Sequence, residues 1–159
     1  LTIHAGEATG AWSVREAVEE YGAERIGHGV RAAEDPEVVE LLCRAGVTLE
    51  ICPTSYIHTA TVPHLARHPL RHFLAQDVRV TINTDDPSIS NTTLTDEYLI
   101  AVREIGVSLP QLGVVVWNGV RAAFTSQDAK ELLWRTFKGE WEKILAISLP
   151  DALEAERQR

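Results

Sequence analysis

The amino-acid sequence predicts an α/β fold with four parallel strands, each leading into helix, and three observations predict it. Short β-branched and apolar runs alternate with amphipathic helical stretches, which is the pattern of βαβ units. The strand runs end in His4, His28, Cys52 and Asp85, and parallel connections bring such ends to one edge of the sheet. Three of the strands also have one polar face. Leu1 and Ile3 lie opposite Thr2 and His4, Val47, Leu49 and Ile51 opposite Thr48, Glu50 and Cys52, and Val78, Val80 and Ile82 opposite Arg79, Thr81 and Asn83. A parallel sheet covered by helices on both sides would be apolar on both faces, so this polarity points to the inside of a barrel rather than to an open doubly wound sheet.

Taken in order, Leu1 to His4 forms the first strand. Ser13 then opens a helix, with Glu16 completing a capping box, Val14, Ala17, Val18 and Tyr21 on one face and Gly22 as the stop. Glu24 to His28 is the second strand, whose faces are less clear because Ile26 shares parity with His28. Asp35 and Pro36 start a helix carrying Val38, Leu41, Leu42 and Ala45, closed by Gly46. Val47 to Cys52 is the third strand and Val78 to Thr84 the fourth. Between them a helical piece with Leu70, Phe73 and Leu74 is entered at Pro69.

The rest of the chain reads as helix. Thr93 and Asp96 cap a segment with Tyr98, Leu99, Val102 and Ile105, stopped by Gly106. Ser108 precedes a run in which Leu112, Val115, Val116, Gly119, Val120, Ala123 and Phe124 keep helical spacing. A last helix from about Gln127 carries Leu132, Leu133, Phe137, Trp141, Ile144 and Leu145 and ends by Pro150. Residues 1–150 form one domain and 151–159 a charged tail.

Composition narrows the function. The chain has 159 residues, 45% hydrophobic and 24% charged, which suits one globular domain with a real core. Its formal charge of -8 opposes binding to nucleic-acid backbones and anionic membranes, and favours a small ligand. No apolar run reaches the roughly 20 residues of a membrane span and no signal-peptide pattern opens the chain, so the expected location is cytoplasmic. Cys43 and Cys52 lack Cys-x-x-Cys spacing and read as free thiols. There is no methionine and the first residues already read as strand, so the chain is expected to be the interior of a longer product.

The strand-end residues form a constellation of His4 and Glu7, His28, then Asp85 and Asp86. Adjacent carboxylates at a strand end repel each other and call for a cation, a donor-rich ligand or water, although Asp-Asp-Pro is also ordinary turn chemistry. Together HAGE, RIGHG, EICPTS and VTINTDDP, with HPL at His68–Leu70 and SNTTLTDEY at Ser90–Tyr98, resemble the adenosine deaminase family of metal-dependent purine deaminases from Leu1 to about Ile147. The resemblance implies the C-terminal half of a (β/α)8 TIM barrel, four parallel strands plus helices, so that 1–150 is a partial deaminase domain. It implies zinc-dependent hydrolysis of adenosine or a related 6-aminopurine to the 6-oxo product and ammonia. On it His4 is a zinc ligand, Glu7 the acid that protonates ring N1, and His28 the residue that orients and deprotonates the attacking water. Asp85 is a second zinc ligand, and Asp86 accepts a hydrogen bond from the purine near N7.

Two departures from the family qualify this. It takes two further zinc ligands from a His-x-His at the end of the first barrel strand, and no His-x-His occurs here. Catalytic zinc sites use three protein ligands, so the polypeptide alone is expected to turn over little or nothing. Tyr56 stands where bacterial relatives commonly have Asn, in a loop that faces the pocket in the family. Two alternatives follow: an inactive half-barrel that binds a purine or assembles with an upstream half or a second copy through its edge strands, or a related adenine or aminodeoxyfutalosine deaminase. Cytidine-type deaminases need a Pro-Cys-x-x-Cys that is missing. Other polar residues read as structural. Glu50 pairs with a barrel cation, Cys52 is a small buried side chain, and the tryptophans in helical patterns pack. His64, His68 and His72 lie on the surface, because Pro69 interrupts any helical stripe.

Overall fold

In the computed structural model, which describes residues 1–145, four strands pair in their order along the chain. They are β1 (Thr2–Ala5), β2 (Arg25–His28), β3 (Thr48–Ile51) and β4 (Arg79–Ile82), and all are parallel. Helix α1 (Ala11–Glu19) joins β1 to β2, α2 (Pro36–Ala45) joins β2 to β3, and α3 (Pro53–His58) with α4 (Leu70–Ala75) joins β3 to β4. Beyond β4 come α5 (Pro87–Ser90), α6 (Leu94–Ile100) running on into a π-helical segment at Ala101–Ile105, α7 (Leu109–Ala122) and α8 (Gln127–Leu145). A sheet in which each strand neighbours the next, without reversal, is barrel order and not doubly wound order. The fold is part of an α/β barrel, as the strand pattern predicts.

Strand register sorts the two faces. Thr2, Arg25, Thr48 and Arg79 lie level, as do His4, Gly27, Glu50 and Thr81, while Ile3, Ile26, Leu49 and Val80 form a row of opposite parity. The second strand therefore obeys the same alternation, with Arg25 and Gly27 on the polar face. Ile26, Leu49 and Val80 are fully buried and pack with Val14, Val38, Leu42, Leu70 and Phe73 into the main core. A separate cluster joins α7 to α8, where the tilted rings of Trp117 and Trp134 lie 4.1 Å apart and Phe137 links Trp134 to Trp141.

Helix ends follow local chemistry in most places. Asp35 caps α2 through the Glu37 N–H, Pro36 is its first residue, and Gly46 ends it with φ +65°. Thr93 with Asp96 and Ser108 with Gln111 form full capping boxes on α6 and α7. The expected Ser13 cap is not formed. Helix α1 starts at Ala11 behind Gly10, because the Ser13 hydroxyl donates to Gly10 O at 2.8 Å and accepts the Gly6 N–H at 2.9 Å. The hydroxyl is thus taken by the loop that carries Glu7.

Three expected helix faces hold only in part, with Val14, Ala17, Ile105 and Trp141 buried as expected. Tyr21 lies beyond α1 and is exposed, Leu132 and Leu133 of α8 are exposed while Trp134 is buried, and α6 buries Glu97 in place of Leu99. The expected stop at Pro150 and the charged tail at 151–159 lie outside the described residues. Among the described residues no helix is long and apolar enough to cross a membrane.

Candidate active site

The carboxyl ends of the strands gather the residues singled out in the sequence. His4, next to last in β1, lies on the polar face and is exposed. Its ring lies across Gly27 of the neighbouring strand, where an added Cβ would stand 3.1 Å from Nδ1 and 3.2 Å from Cε1. The absence of a side chain at Gly27 is what lets the imidazole rest on β2. His28 ends that strand with φ +70°, a left-handed conformation uncommon outside glycine. Its ring is buried and meets the His4 ring edge-on at 5.0 Å between centroids.

Glu7 lies in the loop between β1 and α1, held by the Gly6–Ser13 bond, and its Oε2 is 3.4 Å from His28 Nε2. His28 has a pKa below the ordinary histidine value. Burial is the main cause, and the nearby carboxylates of Glu7 and Asp85 oppose it. It is therefore a neutral imidazole at neutral pH, able to accept a proton.

Asp85 also has a left-handed backbone, φ +58°, and its Oδ2 accepts a 2.7 Å hydrogen bond from the buried hydroxyl of Ser55. Asp86 caps α5, accepting the Ile89 N–H on Oδ1 at 3.2 Å. Both carboxylates are exposed at the mouth of the site. His4, Glu7, His28 and Asp85 therefore share one edge of the sheet, with Asp86 beside them. The imidazole of His4 and the carboxylate of Asp85 are donors of the kind zinc accepts. They fall short in number, since no group of three or more His, Cys, Asp and Glu suited to a metal is gathered among the described residues.

Behind His28 runs a line of rings that sequence reading did not foresee. Tyr56 is fully buried and meets His28 edge-on at 5.6 Å, and His68 stacks on Tyr56 at 5.5 Å. His68 is therefore not a surface residue. Pro69 does break the helix as expected, but the turn drives the imidazole inward, where Nδ1 accepts the Leu70 N–H at 3.0 Å and burial lowers its pKa to about 4. Tyr56 likewise presents no face to solvent, and burial holds its hydroxyl well above the ordinary tyrosine value.

Ser55 and Glu97 were also missed. Ser55 directly follows a strand-end turn, a signal that could have found it, whereas Glu97 lies in an apolar-looking helical pattern. The readings of Glu50 and Cys52 hold. Glu50 Oε1 is 3.2 Å from Arg25 Nε, and the Cys52 thiol is buried and pushed far up, which leaves it unreactive.

A family model described as adenosine deaminase matches residues 1–138. The adenosine deaminase of Erwinia tasmaniensis is 47% identical over 130 residues, covering 82% of this chain and 39% of the relative. That of Serratia proteamaculans is 43% identical over 139 residues, covering 87% and 42%. Among solved structures, an adenine deaminase from Arthrobacter aurescens superposes with a TM-score of 0.84 at 34% identity, over 89% of this chain and 43% of that one. A zinc-bound amidohydrolase from Burkholderia ambifaria superposes with a TM-score of 0.83 at 25% identity, over 97% and 42%. The chain spans about two fifths of the length of the curated relatives it matches.

Proposed function

Because the chain belongs to the adenosine deaminase family, we propose that it carries the C-terminal part of the active site of an enzyme that hydrolyses the 6-amino group of a purine, adenosine first, to the 6-oxo product and ammonia. The observation that carries this reading is the convergence of His4, Glu7 and His28, with Glu7 Oε2 3.4 Å from His28 Nε2 and the two imidazoles 5.0 Å apart. The adenosine deaminase and adenine deaminase relatives support a 6-aminopurine as substrate.

In this reading Glu7 donates a proton to purine N1 as the attacked carbon becomes tetrahedral, so the ring nitrogen gains a proton and no free anion forms. His28, neutral at the start, accepts the proton that the attacking water loses and passes it to the amino group, so that the bond from carbon to nitrogen breaks, ammonia leaves and the hydroxyl proton returns to Glu7. Asp86 receives a hydrogen bond at the imidazole side of the purine and sets its orientation. His4 and Asp85 would hold zinc with donors supplied by a complementary half-barrel bearing a His-x-His. A bound zinc ion makes water nucleophilic near neutral pH. The cytoplasm and purine salvage are the setting that fits such an enzyme.

Glu7→Gln tests the acid role in the protein as its gene encodes it. Purine affinity is expected to persist while kcat falls by roughly a hundredfold or more, and near-normal turnover would overturn the assignment. A second reading is a purine-binding half-barrel without turnover, completed by an upstream half or a second copy. Zinc content measured together with inosine formation separates the two, since the binding module would hold purine with neither.

A further inference from the structure

The buried carboxylate of Glu97 takes no part in the reaction described above, and its surroundings give it a different task. Its side chain is fully buried in α6, where a carboxylate is costly unless donors satisfy it. Two donors from separate segments do so. Thr54 N–H donates to Oε2 at 3.0 Å, and the Thr92 hydroxyl donates to Oε1 at 2.7 Å.

Thr54 is the residue before Ser55, whose hydroxyl holds Asp85 at 2.7 Å. Thr92 lies between α5, which Asp86 caps, and α6. Glu97 therefore joins the turn after β3 to the segment after Asp85 and Asp86. Asp85 needs such support. Its left-handed backbone, φ +58°, persists only where its surroundings determine it.

We infer that Glu97 is a positioning residue, fixing the Asp85 carboxylate through Thr54 and Ser55; the inference rests on the role proposed above for Asp85. Geometry rather than charge is what it supplies. A glutamine at 97 can accept from Thr54 N–H through its carbonyl oxygen and donate its amide to the Thr92 hydroxyl, which can also accept. An alanine there makes neither bond.

The test uses the zinc-loaded protein as encoded by its gene, with zinc affinity from chelator competition, kcat and KM for adenosine, and the thermal midpoint of unfolding. Glu97→Ala is expected to weaken zinc binding and lower kcat 10- to 100-fold with KM little changed, and Glu97→Gln to stay within about threefold of the parent on both. Ser55→Ala is expected to match Glu97→Ala, and the double variant to be no worse than the poorer single, because both act along one path. A Glu97→Ala protein that loses only thermal stability, or a double variant whose losses multiply, would overturn the inference.

If Glu97→Ala does not fold, Thr92→Val and Thr92→Ser replace it. Loss in the first with recovery in the second supports the role, and equal values overturn it. Asp85→Ala is measured alongside. Unchanged zinc affinity and kcat there would remove the role of Asp85 itself, whereas loss there without loss at Glu97 would overturn the positioning role alone.

Discussion

Gly27 and His4 share one small space: a Cβ on Gly27 would sit 3.1 Å from the His4 ring. Gly27 is not among the residues with left-handed backbones, so the conflict in Gly27→Ala is steric. The ring is at the exposed end of β1 and can shift, so the fold should survive with a loss of about 1 kcal/mol. A shifted imidazole no longer presents its nitrogen to the same point. On the zinc-ligand role proposed for His4, zinc affinity is expected to fall about tenfold or more, read by chelator competition beside the unfolding midpoint. Unchanged affinity would show that the His4 orientation does not depend on Gly27.

His68 gives the fold an acid-sensitive point. Its folded pKa is lowered to about 4 by burial, against an unfolded value near 6.5. Above about pH 6.5 both states are neutral and His68 adds no pH dependence. Between 6.5 and 4 the unfolded state binds the proton and the folded state does not, so stability falls with pH by up to about 3 kcal/mol and then levels off. His68→Gln should remove that part of the slope. Urea unfolding at pH 7 and pH 4.5 of both proteins checks it, and parallel pH dependences would contradict the assignment.

Arg25, at the amino end of β2, serves three partners. Its Nε lies 3.2 Å from Glu50 Oε1, an Nη donates to Ala122 O at 3.4 Å, and the guanidinium lies 4.0 Å over the Phe124 ring. Arg25→Ala is expected to cost about 2 kcal/mol, in part by leaving Glu50 half-buried without its cation. Arg25→Lys should recover little, because lysine has neither the plane nor the fork. Pairing Arg25→Met with Glu50→Leu should recover more. Urea midpoints rank the variants, and full recovery by lysine would show that charge alone matters.

Much of the fold was legible because its signals are local. Asp35 before Pro36, Thr93 before Asp96 and alternating strand parity each act within a few residues, and the structure follows them. Ser13 carried the same kind of signal and misled, since its hydroxyl is claimed by the Gly6 N–H across a turn. Glu97 and His68 failed for a related reason. The burial of a polar side chain depends on donors such as Thr54 and Leu70, which belong to other turns or to the backbone.

The candidate site was legible to the extent that parallel strands share an edge, which placed His4, His28 and Asp85 together. The support behind them was not. Ser55, Tyr56 and His68 form that support through contacts made only when α3 and α4 fold back.

The clasp made by Arg25 also sets an order of assembly. Each strand of the sheet pairs with the next along the chain, so these contacts close loops of modest length and can form early. The bond from Arg25 to Ala122 spans 97 residues and must wait for all four strands and α7. Folding should therefore end where the sheet begins, at the amino ends of the strands, and slow hydrogen exchange should build up in the sheet before α7 locks down. The edge bearing the candidate catalytic residues would be shaped first, and the far end sealed afterwards.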